Sequence, residues 1–249
     1  MAFDPLELNY SKVKAYLDCP LLYKYIYVDR RFAPLNPYAS LGLSVHGALA
    51  RYHASGGDLS DLLVYYEESW NNRGYATPQQ SMEFYNRGAK VLENYWLSAQ
   101  AEKSRTVFSE KVFKFAFEKW QVRGTIDRVD RLEGDCFELI DYKMGFEEKT
   151  PADAAQSFQL AIYALGLKRA LDIKIKKISF FVLNGPYKVS ADYDGSGDEK
   201  TLSVLRDTGE KILVMDQSRI GNCQRCPIRE LCARSTAKDA PVPKQRTGD

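Results

Sequence analysis

The apolar positions along this chain change their period twice. In "SLGLSVHGALARYH" the residues Leu43, His46 and Ala50 recur at helical spacing, which predicts a helix over 40–54. Further helices are predicted over 58–72 and 78–101. The pattern then turns strand-like. "TVFSEKVFKFAFEKW" (106–120) alternates in part, and "VRGTIDRVDRL" (122–132) and "CFELIDYKM" (136–144) are short strands joined by the turn "EGD", which reads as a hairpin. A helix follows over roughly 152–171, then a strand in "IKKISFFVL" (175–183), a loop or hairpin over 184–199, and a helix over 200–217. Upstream, residues 8–30 read as helical, with Asn9 or Ser11 as the cap and Pro20 suited to the first turn of a new helix. The Pro-rich stretch 32–39 is a connector. Helices, three strands, a helix and another strand imply an α/β domain built on a mixed sheet. One domain is expected over 1–235, and the polar tail 236–249 is expected to be disordered.

Composition narrows the class only a little. The chain has 249 residues, enough to bury a core without a metal to hold it together. A net charge of +2 is too mild to imply nucleic-acid binding by itself, though it permits local basic patches. The first residues carry no basic stretch followed by an apolar one, and no apolar run approaches the ~18 residues that span a bilayer. The expectation is a soluble, cytoplasmic protein with no membrane partner. Five cysteines then read better as ligands than as a disulfide framework.

Candidate chemistry lies in "GTIDRVD" and "LIDYKMG". Asp141 and Lys143 are one residue apart on a predicted strand, so both point to one face. If the hairpin pairs, Asp127 on the neighbouring strand converges on Asp141. Two carboxylates beside an amine suit a divalent cation such as Mg2+. The plain alternative is a solvated face or a weak ion pair. Against it stands the apolar lead-in Leu139–Ile140, which marks a central strand, where buried charges need a partner or an ion. Glu110, at the opening of the preceding strand, could face the same site or the surface. Gln159 and Tyr163 lie four apart on one helical face, which is also what an ordinary polar stripe looks like.

Near the other end, "CQRCPIRELC" sets Cys223, Cys226 and Cys232 in a C-x2-C-x5-C array. From the cysteines alone, zinc and an iron–sulfur cluster stand level, since both accept four thiolates. Cys136 reads as a small buried apolar residue, and His53 as packing or surface. Tyr10, Tyr16, Tyr23, Tyr25 and Tyr27 interleave with Lys12, Lys14, Lys24, Arg30 and Arg31, a composition that can stack bases and hold phosphates or simply fill a core.

These motifs, taken in order from Asn9 to about Ser235, resemble the PD-(D/E)XK nucleases of the RecB-like group. The closer resemblance is to the branch that carries an iron–sulfur cluster, including AddB nuclease domains and CRISPR-associated iron–sulfur nucleases. The resemblance implies a restriction-endonuclease-like core with a central mixed sheet flanked by helices, an N-terminal helical region and a C-terminal cluster segment. It makes His46, Asp127 and Asp141 ligands of Mg2+ or Mn2+, completed by the backbone carbonyl of Tyr142, with Lys143 as the catalytic lysine. It gives Gln159 and Tyr163 a role in supporting the site and touching DNA. It adds Cys19, in "LDCP", to Cys223, Cys226 and Cys232 as ligands of a [4Fe-4S] cluster, with zinc as the lesser choice. Arg219, Arg225, Arg229 and Arg234 would then offset the cluster's charge. Isoleucine rather than proline precedes Asp127, and the core motif is Asp-x-Lys, as in RecB-like enzymes.

The implied activity is metal-dependent hydrolysis of DNA phosphodiester bonds by an exonuclease preferring single strands or single-stranded ends, in end processing, recombination or repair. The alternatives are a CRISPR-associated nuclease that trims spacer precursors, or a non-catalytic iron–sulfur subunit that binds DNA. No G-x-x-x-x-G-K-[ST] motif occurs, so a motor would be a separate helicase, and in the CRISPR setting the partner would be an integrase.

Overall fold

The computed structural model describes residues 6–31, 35–99, 105–145, 147–218 and 221–237. The tail 238–249, Arg219 and the side chain of Arg225 lie outside the described residues. The chain expected as one domain clusters into two compact units, each assembled from separate stretches: Pro34–Phe113 with Thr125–Ser196, and Met1–Ala33 with Lys114–Gly124 and Gly197–Asp249.

The larger unit opens with α3 (Pro37–Ser55), numbered after the two helices of the smaller unit, then α4 (Leu59–Glu68) and α5 (Pro78–Ala99). Each start has a local cause. Asn36 accepts a hydrogen bond from Ala39 N–H ahead of Pro37, and Asp58 forms a capping box with Asp61. The strands are β2 (Arg105–Phe117), β3 (Trp120–Arg131), β4 (Phe137–Lys143), β5 (Ile175–Val182) and β6 (Tyr187–Asp192), after β1 in the smaller unit. β3 and β4 pair antiparallel, β4 and β5 parallel, and β5 and β6 antiparallel, so the sheet is mixed. The stretch 184–199 is thus a hairpin excursion. β4 sits between β3 and β5 and is buried on both faces, which is why its lead-in is apolar.

The helix expected over 152–171 divides into α6 (Pro151–Ala155) and α7 (Phe158–Leu171). Ser157 makes the break: its backbone is extended and its hydroxyl accepts from Leu160 N–H, restarting the helix. On α3 the buried residues are Ser40, Leu41, Ser44, Val45, Ala48 and Leu49, whereas Leu43 is 57% exposed. The stripe of Leu43, His46 and Ala50 is therefore not the core stripe but the face beside it. The core joins Leu41, Val45, Leu62, Leu92 and Tyr95 of the helices to Ile140, Tyr142 and Phe181 of the sheet.

In the smaller unit β1 (Glu7–Leu8) runs parallel to Gln121–Val122 of β3. Asn9 caps α1 (Tyr10–Asp18) by accepting from Lys12 N–H at 2.8 Å. The helix expected over 8–30 breaks at Cys19, which turns extended ahead of Pro20 and caps α2 (Pro20–Tyr23). Proline excludes the helical conformation from the residue before it. A π-helical turn over Lys24–Val28 follows. α8 spans Asp198–Leu213, shorter at its end than the expected 217, and its Gly209 lets the Trp120 indole approach to where a Cβ would meet the ring at 2.6 Å. Among the described residues no helix is long and apolar enough to cross a membrane.

Gly166 of α7 faces the Phe113 ring, which would lie 2.4 Å from an added Cβ. Gly166→Ala should cost about 1–3 kcal/mol through overpacking. Urea unfolding checks this as a lower midpoint at unchanged slope.

Candidate active site and cysteine site

The hairpin sets the first site. Arg128 pairs with Ile140 across β3 and β4, so one step further along the register Asp127 stands opposite Asp141. Asp127 Oδ2 accepts from the backbone N–H of Tyr142 at 2.8 Å and lies 3.6 Å from His46 Nδ1 of α3. Glu110 of β2 joins them: ligand atoms of His46, Glu110 and Asp127 lie within 4.8 Å of one another. Glu110 does not open its strand, which begins at Arg105; it sits mid-strand with φ at +49°, a left-handed backbone that redirects its side chain. No periodicity signals such a residue, and so the sequence left its direction open.

Asp141 stands beside this group, 3% exposed, on the β4 face opposite Ile140 and Tyr142. Its Oδ1 accepts from Gln159 Nε2 at 2.8 Å. Its Oδ2 is buried and takes no hydrogen bond, while Lys143 Nζ sits 2.6 Å away as an ion contact. Lys143 Nζ also donates to Gln159 Oε1 at 2.8 Å. Gln159 therefore bridges acid and amine with its two different ends, which fixes its amide orientation, and its Nε2 reaches Tyr163 Oη at 3.2 Å. The four residues form one constellation, adjoining the group of three.

Electrostatics in this site favours bound protons when no cation is present. Burial pushes the Asp141 carboxyl up to about 6, opposed by Lys143 and reinforced by the charge of Asp127. Burial also raises Glu110, with Asp127 adding to the rise. Burial alone would lower His46, but its bond to Asp127 and the charges of Asp127, Asp141 and Glu110 outweigh it, so His46 is raised. A cluster in which burial and neighbouring charge raise the carboxyls of Asp141 and Glu110 has the chemistry of a divalent-cation site.

The second cluster belongs to the smaller unit. Cys19, Cys223, Cys226 and Cys232 line one small cavity with Arg229. All are free thiols. Burial raises the Cys226 thiol, and Cys19, Cys223 and Cys232 raise it further by their negative charge. Cys223 is lowered by hydrogen bonds from Thr236. Gly221 makes the approach possible, because a Cβ there would lie 1.9 Å from the carbonyl oxygen of Asp18 and 2.8 Å from Cys19 Cβ. Cys136, in the larger unit, is only half-buried, not the buried residue expected. His53 is half-buried and hydrogen-bonded to tyrosines, so its reading as packing stands among polar partners.

The aromatic and basic N-terminal stretch divides. Tyr16 and Tyr23 are core residues, Lys12 binds Glu7, and Lys14 and Lys24 pair with Asp18 and Asp29. Tyr25 remains half-exposed with the exposed Arg31 5.9 Å from its ring centre.

An α/β fold that gathers acids from a hairpin, a histidine from a helix and a strand-borne Asp-x-Lys pair defines a class of phosphodiester-cleaving enzymes. Comparison with known families agrees. The model for the PD-(D/E)XK nuclease superfamily matches residues 7–233, and the chain belongs to that superfamily. A candidate exonuclease from Eubacterium rectale is similar in fold, with 11% identity and a TM-score of 0.55 over 98% of this chain and 91% of that one. The crystal structure of SSO0001 aligns over 94% of this chain and 89% of its own at 11% identity, with a TM-score of 0.43. No curated protein matches.

Because ligands must shed protons before they bind a cation, Mn2+ affinity in the absence of DNA should fall as pH drops through about 6, and above that should go on rising until His46, itself raised, has lost its proton. The loss should approach about tenfold per pH unit for each proton displaced. Calorimetric titration across that range measures it.

Proposed function

We propose that this protein is a Mg2+- or Mn2+-dependent deoxyribonuclease of the RecB-like, iron–sulfur type, acting as an exonuclease on single-stranded DNA or single-stranded ends. The observation that carries the hydrolytic part is the pairing of buried Asp141 with half-buried Lys143, bridged by Gln159, beside the group of His46, Glu110 and Asp127.

In this reading His46, Asp127 and Asp141 hold the cation, with the Tyr142 carbonyl as implied by the resemblance, and Glu110 adds a further carboxylate. The cation supplies positive charge against the anionic phosphodiester. Lys143 orients the attacking water and offers its own charge to the transition state. Gln159 keeps Asp141 and Lys143 in mutual register, and Tyr163 steadies Gln159. Tyr25, Tyr27, Arg30 and Arg31 suit unpaired bases and phosphates. The likeness in fold to a candidate exonuclease supports the mode of cleavage. Asp141→Ala and Lys143→Ala should each lower cleavage of an end-labelled single strand by at least ~100-fold while DNA binding persists. Unchanged cleavage by either variant refutes the assignment.

Cys19, Cys223, Cys226 and Cys232 hold a [4Fe-4S] cluster in the same proposal. The Cys226 thiol, raised by burial and by the other three cysteines, needs a cationic centre beside it to ionise, and Arg229 in the same cavity offsets the remaining charge. The cluster serves as a clip between residues more than two hundred apart in sequence, offsetting the entropy of closing that loop. Protein purified without oxygen should be brown and contain iron; Cys19→Ser should bleach it, and Gly221→Ala should lower its iron content by forcing the two segments apart. Zinc in place of iron would overturn the cluster assignment.

A further inference from the structure

On the far side of β4 from Asp141 and Lys143 lies a ring of polar side chains that hydrolysis does not use. Tyr142, 4% exposed, points into the core beneath α3 and α5. Its hydroxyl lies 2.9 Å from Tyr95 Oη and 2.9 Å from His53 Nε2, and Tyr95 Oη lies 2.7 Å from the same nitrogen. Arg128 Nη1 donates to Tyr95 Oη at 2.9 Å, Arg128 Nε donates to Asp130 Oδ1 at 2.7 Å, and Nη2 donates to Oδ2. Thr106 Oγ1 donates to Asp130 Oδ1 at 3.0 Å and lies 3.3 Å from His53 Nδ1.

The protons of this ring can be placed. Thr106 has one hydroxyl hydrogen, and Asp130 takes it, so Thr106 accepts from His53. His53 Nδ1 therefore carries the ring proton and Nε2 accepts from a phenol. Burial first, then the charge of Arg128, push His53 down to about 4, so it is neutral at neutral pH, as this arrangement requires. The two phenolic hydrogens then serve Nε2 and the other phenolic oxygen, while Arg128 fills the remaining acceptor on Tyr95.

A ring of this kind is costly to bury, and apolar residues of similar volume would pack as well. What distinguishes its tip is position. Tyr142 lies between Asp141 and Lys143, its N–H donates to Asp127 Oδ2, and its ring stands edge-on to the His46 ring at 5.8 Å. Through backbone and ring it touches two members of the candidate cation site.

We propose that Tyr142 is a positioning residue, clamped by His53 and Tyr95 so that its backbone N–H and its ring set the geometry of Asp127 and His46 for cation binding. This rests on the reading that His46 and Asp127 hold a cation, and on nothing about DNA. Outer-layer groups that orient metal ligands act in this way.

The test titrates the metal-free protein with Mn2+, read by paramagnetic resonance of the free ion, alongside hydrogen exchange at the Tyr142 amide. Tyr142→Phe and His53→Leu should weaken Mn2+ binding about tenfold and speed exchange at that amide, and Tyr95→Phe should do so in part. His53→Gln, which keeps an acceptor, should recover most of the affinity that His53→Leu loses. A role in stability alone predicts a lower melting temperature with Mn2+ affinity within about twofold of wild type in every folded variant, and that result overturns the proposal, as does His53→Gln binding no better than His53→Leu. Wild-type protein that fails to bind Mn2+ also overturns it. Wild-type protein that binds Mn2+, is weakened by Tyr142→Phe and cuts no DNA supports the clamp while removing the nuclease function.

Discussion

The antiparallel register of β3 against β4 is the constraint on which the rest of the larger unit depends. It places Arg128 against Ile140, and with it Asp127 opposite Asp141. A slip of one residue would turn Asp141 and Lys143 into the helical core and present Ile140 and Tyr142 where the acids now stand. Both faces of β4 are buried, so the slip would set Asp141 and Lys143 among apolar side chains away from Gln159 and leave Ile140 and Tyr142 among acids. The parallel ladder to β5 fixes the same strand from its other side, pairing Asp141 with Phe180 and Lys143 with Val182.

With that strand fixed, its two faces serve different ends. One face carries Asp141 and Lys143 to Gln159 of α7, and the other carries Tyr142 to the ring of His53, Tyr95 and Arg128. The burial that raises the Asp141 carboxyl is the same burial that would strengthen its interaction with a cation. Glu110 joins only through a left-handed residue in mid-strand, a local strain of the sort found where a side chain must be aimed. In the smaller unit the corresponding device is Gly221, whose missing Cβ lets the C-terminal segment touch the turn at Cys19.

Much of this architecture was legible beforehand where a local rule acts alone. The hairpin of β3 and β4 followed from alternation and a turn, and the central place of β4 from its apolar lead-in; of the two caps offered for α1, Asn9 or Ser11, the structure uses Asn9. Rules that compete were harder to read. The break at Ser157 lay inside an apolar pattern that continues through it, and Pro20 outweighed the helical composition of residues 8–30. On α3 the stripe of Leu43, His46 and Ala50 has the right spacing for a core, but spacing alone does not say which face of a helix meets the protein, and Leu43 faces solvent.

The sequence by itself determined which groups exist and which share a strand or a helical face, because those relations follow from periods of two and 3.6 residues. It determined the Asp141–Lys143 pair, the partnership of Gln159 with Tyr163 and the spacing of three cysteines. The tertiary structure alone decided what those groups meet. It brought Cys19 to a cavity shared with Cys223, aimed Glu110 at His46 and Asp127, and closed a ring of hydrogen bonds around His53. These meetings join residues tens to hundreds of positions apart, and they are settled by packing among all the elements at once, for which no local period in the chain is a record.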